Sequence, residues 1–223
     1  MLIRSLYERY DFMEISWLGH SSFLIKNSNG KKIITDPFDD SVGYNIYTDN
    51  VDIVTISHQH FDHNYTEKLQ GNPTIINKGG TFTVDGITII GLPSFHDKMK
   101  GAKRGENNIY IIEVDGYRIC HLGDLGHLLT AEDIDKLGDI DVLLIPVGGN
   151  FTIDGKEAAE TAKEINSHIV IPMHYKTSLL SFPLDGVEPF LTSMKSGETI
   201  GTSPYIIEGE LKEFNLVKIL SLA

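Results

Sequence analysis

Residues 52–63 read DIVTISHQHFDH. Asp52–Ile56 has the apolar, β-branched character of a buried strand. Ser57-His58-Gln59-His60-Phe61-Asp62-His63 follows at once, so three imidazoles and a carboxylate fall where a strand gives way to a loop or helix. His58 and His60 are two apart, so in extended backbone both rings project to the same side and can bind one cation together. Beyond the strand the chain can turn, and Asp62 and His63 then offer a carboxylate and a third imidazole to a second cation nearby. Imidazole suits Zn, Fe or Ni, and an added carboxylate makes a harder site.

One loop cannot complete two such sites, so the remaining ligands are expected at other strand ends. His96 ends the apolar run IIGLPSF, Asp124 follows RICHLG, and His174 follows HIVIPM. The first 160 or so residues read mostly as short strands: 14–17, 22–26, 32–35, 52–57, 74–77, 82–84, 87–91, 109–114, 118–122 and 142–146. Asp-Gly at 85–86 and at 115–116 lies between such runs and predicts two hairpins. Helices are predicted after Thr130, after Asp154 with Glu157 completing a capping box, and after Asp185. A strand over 169–172 follows the second helix, and 205–208 with 211–215 is expected to close the chain as a hairpin.

The 223 residues suit one domain, with residues 1–13 as an N-terminal extension available for an intersubunit contact in a homo-oligomer. A hydrophobic content of 41% supports a buried core. The net charge of −12 argues against general affinity for nucleic acid or anionic membrane. A lone cysteine, Cys120, excludes an internal disulfide and a cysteine-built zinc site. The first 17 residues carry charges where a signal peptide has its apolar core, and no apolar run approaches the ~20 residues that span a bilayer. A cytoplasmic location is the expectation.

HQHFDH, His96, the Gly123-Asp124 pair and PMHYKT around His174 occur in the order of the ligand motifs of the metallo-β-lactamase superfamily, which this chain resembles from about residue 14 to beyond 200. WLGHSS (17–22), TDPF (35–38) and HLGDLGH (121–127) resemble its ascorbate-6-phosphate lactonase-like hydrolases, although this chain is much shorter than the lactonase itself. It also lacks a recognisable RNA-binding arm, which counts against tRNA processing. The resemblance implies an α+β fold, a four-layer αββα sandwich with a dinuclear metal site at one edge between the two sheets. It implies that His58, His60 and His96 hold the first of two divalent ions. Asp62, His63 and His174 would hold the second, and Asp124 would bridge both. Zn2+ is the favoured metal, with Mn2+, Fe2+ or Ni2+ as alternatives. Asp36 matches a supporting position that does not itself ligate.

Two dications, two carboxylates and a bridging hydroxide leave such a centre near +1, suited to an anionic or carbonyl-bearing group. Metal binding lowers the pKa of water from 15.7 to about 7, making hydroxide available at neutral pH. The expected reaction is hydrolysis of an ester, lactone or phosphodiester bond in a small, anionic substrate. The alternatives are an iron-dependent oxidoreductase of the same fold and a nucleic-acid phosphodiesterase. Asp62 and Asp124 are the catalytic carboxylates. His20, His121 and His127 are the spare histidines, with His20 and His127 as proton-donor candidates and His121 as a supporting residue. His168 reads as a surface residue at a helix end. The loop after His96 gathers Lys98, Lys100, Lys103 and Arg104, with glycines at 101 and 105, and reads either as a solvated surface loop or as a mobile lid whose cations reach the substrate. Asn107, Asn108, Tyr175 and Lys176 are further candidates to line the pocket.

Overall fold

Alternation along the first strand sets its inward face: Met13, Ile15 and Trp17 are buried while Glu14 and Leu18 are only partly covered. The computed structural model describes residues 12–223. In chain order the elements are β1 (Met13–Gly19), β2 (Ser22–Lys26), β3 (Lys32–Thr35), β4 (Ile53–Thr55), β5 (Thr74–Ile76), β6 (Gly80–Val84), β7 (Ile87–Phe95), β8 (Glu106–Val114) and β9 (Tyr117–His121). There follow α1 (Ala131–Leu137), β10 (Val142–Pro146), α2 (Gly155–Ile165), β11 (Ile169–Met173), α3 (Glu188–Met194), β12 (Glu198–Ile200), β13 (Tyr205–Ile207) and β14 (Leu216–Leu220). A six-stranded sheet has the order β13-β1-β2-β3-β4-β5, and an eight-stranded sheet the order β12-β14-β11-β10-β9-β8-β7-β6. Side chains of both sheets share one apolar core, from Ile15, Phe23 and Ile33 to Ile89, Ile111 and Leu143. β10 and β11 are buried along their whole length, as expected of parallel strands covered on both faces, and α2 turns Ala158, Ala159, Ala162 and Ile165 inward. This is the α+β sandwich anticipated from the sequence.

Strand direction positions the site. β1 and β3 are each antiparallel to β2, and β4 is parallel to β3, so these three strands share one sense. β7 and β9 are each antiparallel to β8, and β10 and β11 continue parallel to β9. His20, Asp36, His96 and His174 each directly follow the last residue of β1, β3, β7 and β11, while Ser57–His63 follows β4 and Asp124 follows β9. Backbone hydrogen bonds tie these ends together, from His174 N to His20 O at 3.1 Å and from Asn108 N to Ser57 O at 2.8 Å. Carboxyl ends of same-sense strands therefore meet at one edge of the sandwich, the usual place for a ligand in an open sheet with parallel strands.

The predicted capping box of Asp154 with Glu157 forms on α2, and Thr130 makes a second one with Asp133 on α1. α3 begins later than expected. Its N-cap is Val187, without a side-chain cap, and the backbone of Asp185 is tied instead to Gly148 and Lys176. The C-terminal hairpin is a correction. β13 crosses to the first sheet and pairs antiparallel with β1, residues 211–215 form no strand, and β14 lies in the second sheet between β11 and β12. Residues 1–11 of the expected N-terminal extension lie outside the described residues, whereas Met13 opens β1 and is fully buried. Among the described residues no helix is long and apolar enough to cross a membrane.

Candidate metal centre

Asp124 sits at the middle of the cluster. Its Oδ2 lies 3.2 Å from His96 Nε2, 3.2 Å from His174 Nε2, 3.3 Å from His63 Nε2 and 3.9 Å from His58 Nε2. Donor atoms of His58, His60 and His96 lie within 4.8 Å of one another, and so do those of His20, His63 and His174. Two histidine groups thus flank one carboxylate oxygen. Asp62 joins the second group, with Oδ2 3.7 Å from His63 Nε2 and 3.1 Å from His20 Nε2.

The rings are held from behind. Asp36 accepts from Ser57 N at 2.7 Å and Ser57 Oγ at 2.6 Å, and pairs with His63 Nδ1 at 2.9 Å. Ser57 Oγ also meets His58 Nδ1 at 2.9 Å. Among the described residues, Nε2 of both His58 and His63 is buried without a hydrogen-bond partner. A ring whose Nδ1 is engaged and whose Nε2 is buried and unpartnered has the arrangement of a metal-ligating histidine with its outer support, so the residues present fit a divalent cation. Asp124 N donates to Asn107 Oδ1 at 3.0 Å, and Asn107 Nδ2 donates to Ser94 Oγ and Leu122 O. Three site residues occupy left-handed backbone: His20 (φ 51°), Asp36 (φ 39°) and His174 (φ 51°). Such residues are uncommon outside glycine, and they cluster at functional sites where surrounding structure holds them.

Close backbone approach beneath the cluster requires two glycines. Gly123 has φ +56°, and a Cβ there would lie 2.4 Å from Asn107 Oδ1 and 2.5 Å from Ser57 Cβ. A Cβ on Gly126 would lie 2.3 Å from Asp97 N and 2.3 Å from the carbonyl carbon of His96.

Electrostatics follow from burial and pairing. Burial, reinforced by His63, lowers the pKa of His58 to about 3, leaving its ring neutral and able to donate a lone pair. Burial followed by His174 lowers His20 to about 4. Burial also disfavours a charged His63, but Asp124 and Asp36 on either side outweigh it and raise its pKa well above the usual imidazole value. Burial opposes the Asp124 charge as well, yet His174 and His63 hold its carboxyl well below the usual carboxylate range. Asp62 is lowered too, with the His20 hydrogen bond and the His63 charge outweighing its burial. Two buried carboxylates beside several imidazoles form an anionic hole suited to a hard or borderline cation.

Expected site residues fall into two groups. His58, His60, Asp62, His63, His96, Asp124 and His174 converge, and Asp36 and His121 stand behind them, the latter through Nε2 on Ser21 O at 2.8 Å. His20 converges too, but it braces Asp62 from a fully buried position. His127 lies elsewhere, between Phe95 N and Leu128 O, and lines a separate small cavity. Asn107 is fully buried and positions Asp124, while Asn108 Nδ2 donates to Ser57 O. Tyr175 is buried against Trp17, and Lys176 binds the carbonyls of Leu180 and Phe182. The basic loop is folded around Asp97, whose carboxylate accepts four backbone N–H groups, from Met99, Gly101, Lys103 and Arg104. Lys98 pairs with Glu157, Lys100 and Lys103 are exposed, and Arg104 alone of the four borders the cleft lined by His60, Asp62, His96, Asp124 and His174. That cleft, about 330 Å³, is also walled by Phe61, Phe151 and Phe182, aromatic residues to which the sequence reading gave no role.

A two-sheet sandwich carrying a His/Asp cluster where its strands end is the construction of the metallo-β-lactamase superfamily. The family described as the beta-lactamase superfamily domain matches residues 14–174, more than half of the chain. A metal-dependent hydrolase of Pyrococcus abyssi is 32% identical over 194 residues, covering 74% of this chain and 85% of that protein. A Methanoculleus marisnigri relative of the same description is 34% identical over 188 residues, covering 74% and 82%. A crystal structure from Thermotoga maritima, of a protein assigned as a Zn-dependent hydrolase of the metallo-β-lactamase superfamily, superposes with a TM-score of 0.79 at 40% identity, over 95% of this chain and 100% of that one. The chain belongs to the UPF0173 metal-dependent hydrolase family of that superfamily.

Proposed function

We propose that this protein hydrolyses an ester, lactone or phosphodiester bond in a small, anionic molecule, using two divalent cations, with Zn2+ the favoured metal. The observation that carries this reading is Asp124 Oδ2, which lies between two histidine groups and within 3.9 Å of a nitrogen from each of four rings. His58, His60 and His96 would hold one ion, His63, His174 and Asp62 the other, and Asp124 both. Bound metal supplies Lewis acidity and lowers the pKa of water from 15.7 to about 7. Asp62 faces the cleft while His20 Nε2 fixes its Oδ2, so this carboxylate is aimed to orient the attacking water. Asp36, Ser57 and Asn107 keep ligand rings and carboxylate from relaxing toward one another. The aromatic walls of the cleft offer apolar contact beside the candidate ligands.

The test pairs metal analysis with turnover. His58→Ala/His60→Ala is expected to lose one equivalent of metal and all hydrolysis of a panel of lactones, esters and phosphodiesters, with an unchanged far-UV circular dichroism spectrum. Hydrolysis surviving in the double variant would overturn the proposal.

A further inference from the structure

Arg104 differs from the other cations of its loop in what surrounds it. Its guanidinium stacks on the Phe151 ring at 4.6 Å and donates to Asn150 O at 3.3 Å. Among the described residues no carboxylate pairs with it, whereas Lys98 is committed to Glu157. Three clefts open around the candidate ligands, of about 330, 320 and 320 Å³; Arg104 borders all of them, whereas Lys98 and Lys103 border one. Its backbone N–H is one of the four held by Asp97, so the side chain leaves a fixed point of a folded loop. Beside it the three phenylalanines form a continuous wall, Phe151 meeting Phe182 edge-on at 6.4 Å and Phe182 meeting Phe61 at 6.3 Å. Lys176 holds the Phe182 carbonyl from behind.

We propose that Arg104 and this aromatic wall form a specificity pocket for substrates that carry an anionic group next to a flat apolar body. The proposal rests on the hydrolase reading for what happens to the substrate, and extends it to which substrates enter. A guanidinium stacked on one ring, with most of its N–H groups unused, offers a planar, forked donor set that suits a carboxylate or phosphate. The wall offers stacking and apolar contact to the adjoining part of the ligand.

Binding of three uncleavable probes to the zinc-loaded protein, followed by isothermal titration calorimetry, tests this. Diphenylphosphinate has both features, dimethylphosphinate lacks the rings, and methyldiphenylphosphine oxide lacks the charge. Wild-type protein is expected to bind diphenylphosphinate at least about tenfold more tightly than either other probe. Arg104→Ala should weaken diphenylphosphinate by about tenfold and leave the neutral oxide within about twofold. Arg104→Lys should fall between, because it keeps the charge and loses the fork. Phe182→Ala should weaken both aromatic probes and leave dimethylphosphinate within about twofold. Unchanged diphenylphosphinate affinity in Arg104→Ala, or equal wild-type affinity for the two phosphinates, would overturn the proposal. Because the probes carry no cleavable bond, a protein that turns nothing over can still show this selectivity, and the two proposals fail separately.

Discussion

At the scale of single residues, the centre depends on groups that never face the cleft. Asp36 joins Ser57 and His63 and, through Ser57 Oγ, reaches His58, so one carboxylate steadies a ring on each side of Asp124. Asp36→Asn keeps the shape but turns one acceptor oxygen into a donor, which faces Ser57 N at one position or both Ser57 Oγ and His63 Nδ1 at the other. It is expected to weaken metal binding by about 10–100-fold, read by competition with a chromogenic chelator. Gly126→Ala puts a methyl group 2.3 Å from the backbone beside His96, and should cost about 1–3 kcal/mol in thermal unfolding and release metal. The candidate ligands were legible because ionisable side chains of metal-binding type stand just past apolar strands. Sequence proximity did not separate Asn107 from Arg104. The first proves to be a buried scaffold for Asp124 and the second a border of the cleft, a difference set by which way a strand end faces. The basic loop is folded around Asp97, which supplies acceptors for four N–H groups that glycine content alone would leave free.

Among the elements, local chemistry was readable and long-range pairing was not. The Asp-Gly pairs at 85–86 and 115–116 make the tight turns between β6 and β7 and between β8 and β9, with positive φ at both positions of each turn. β13 and β14 are short apolar strands like many others, and nothing in their own residues specifies β1 or β11 as a partner. Only completion of the two sheets does, placing Tyr205 opposite Ile15 and Leu216 beside Ile169. The α2 cap gives an element-scale test. Asp154 accepts from the N–H groups of Lys156 and Glu157, and Asp154→Ala should lower stability by about 1 kcal/mol while leaving metal content unchanged.

On the scale of the whole molecule, the shared core seals Cys120, which is fully buried on β9. Burial pushes its thiol up to about 12 from an ordinary 9.0, against a small opposing effect of Arg118. The unfolded chain therefore releases this proton first as pH rises. The contribution of Cys120 to stability is intact below pH 9 and declines between about 9 and 12. A thiol reagent at pH 8 should label the protein only as fast as it unfolds, and immediate stoichiometric labelling of the native protein would count against this packing. The same two-sheet construction brings strand ends from both halves of the sandwich to Asp124, and that convergence is the central claim. It is tested most directly by anomalous diffraction from zinc-loaded crystals at the zinc absorption edge. Two peaks are predicted, one among His58, His60 and His96 and one beside His63 and His174, both next to Asp124. A single peak, or zinc bound elsewhere with these side chains unengaged, would contradict it.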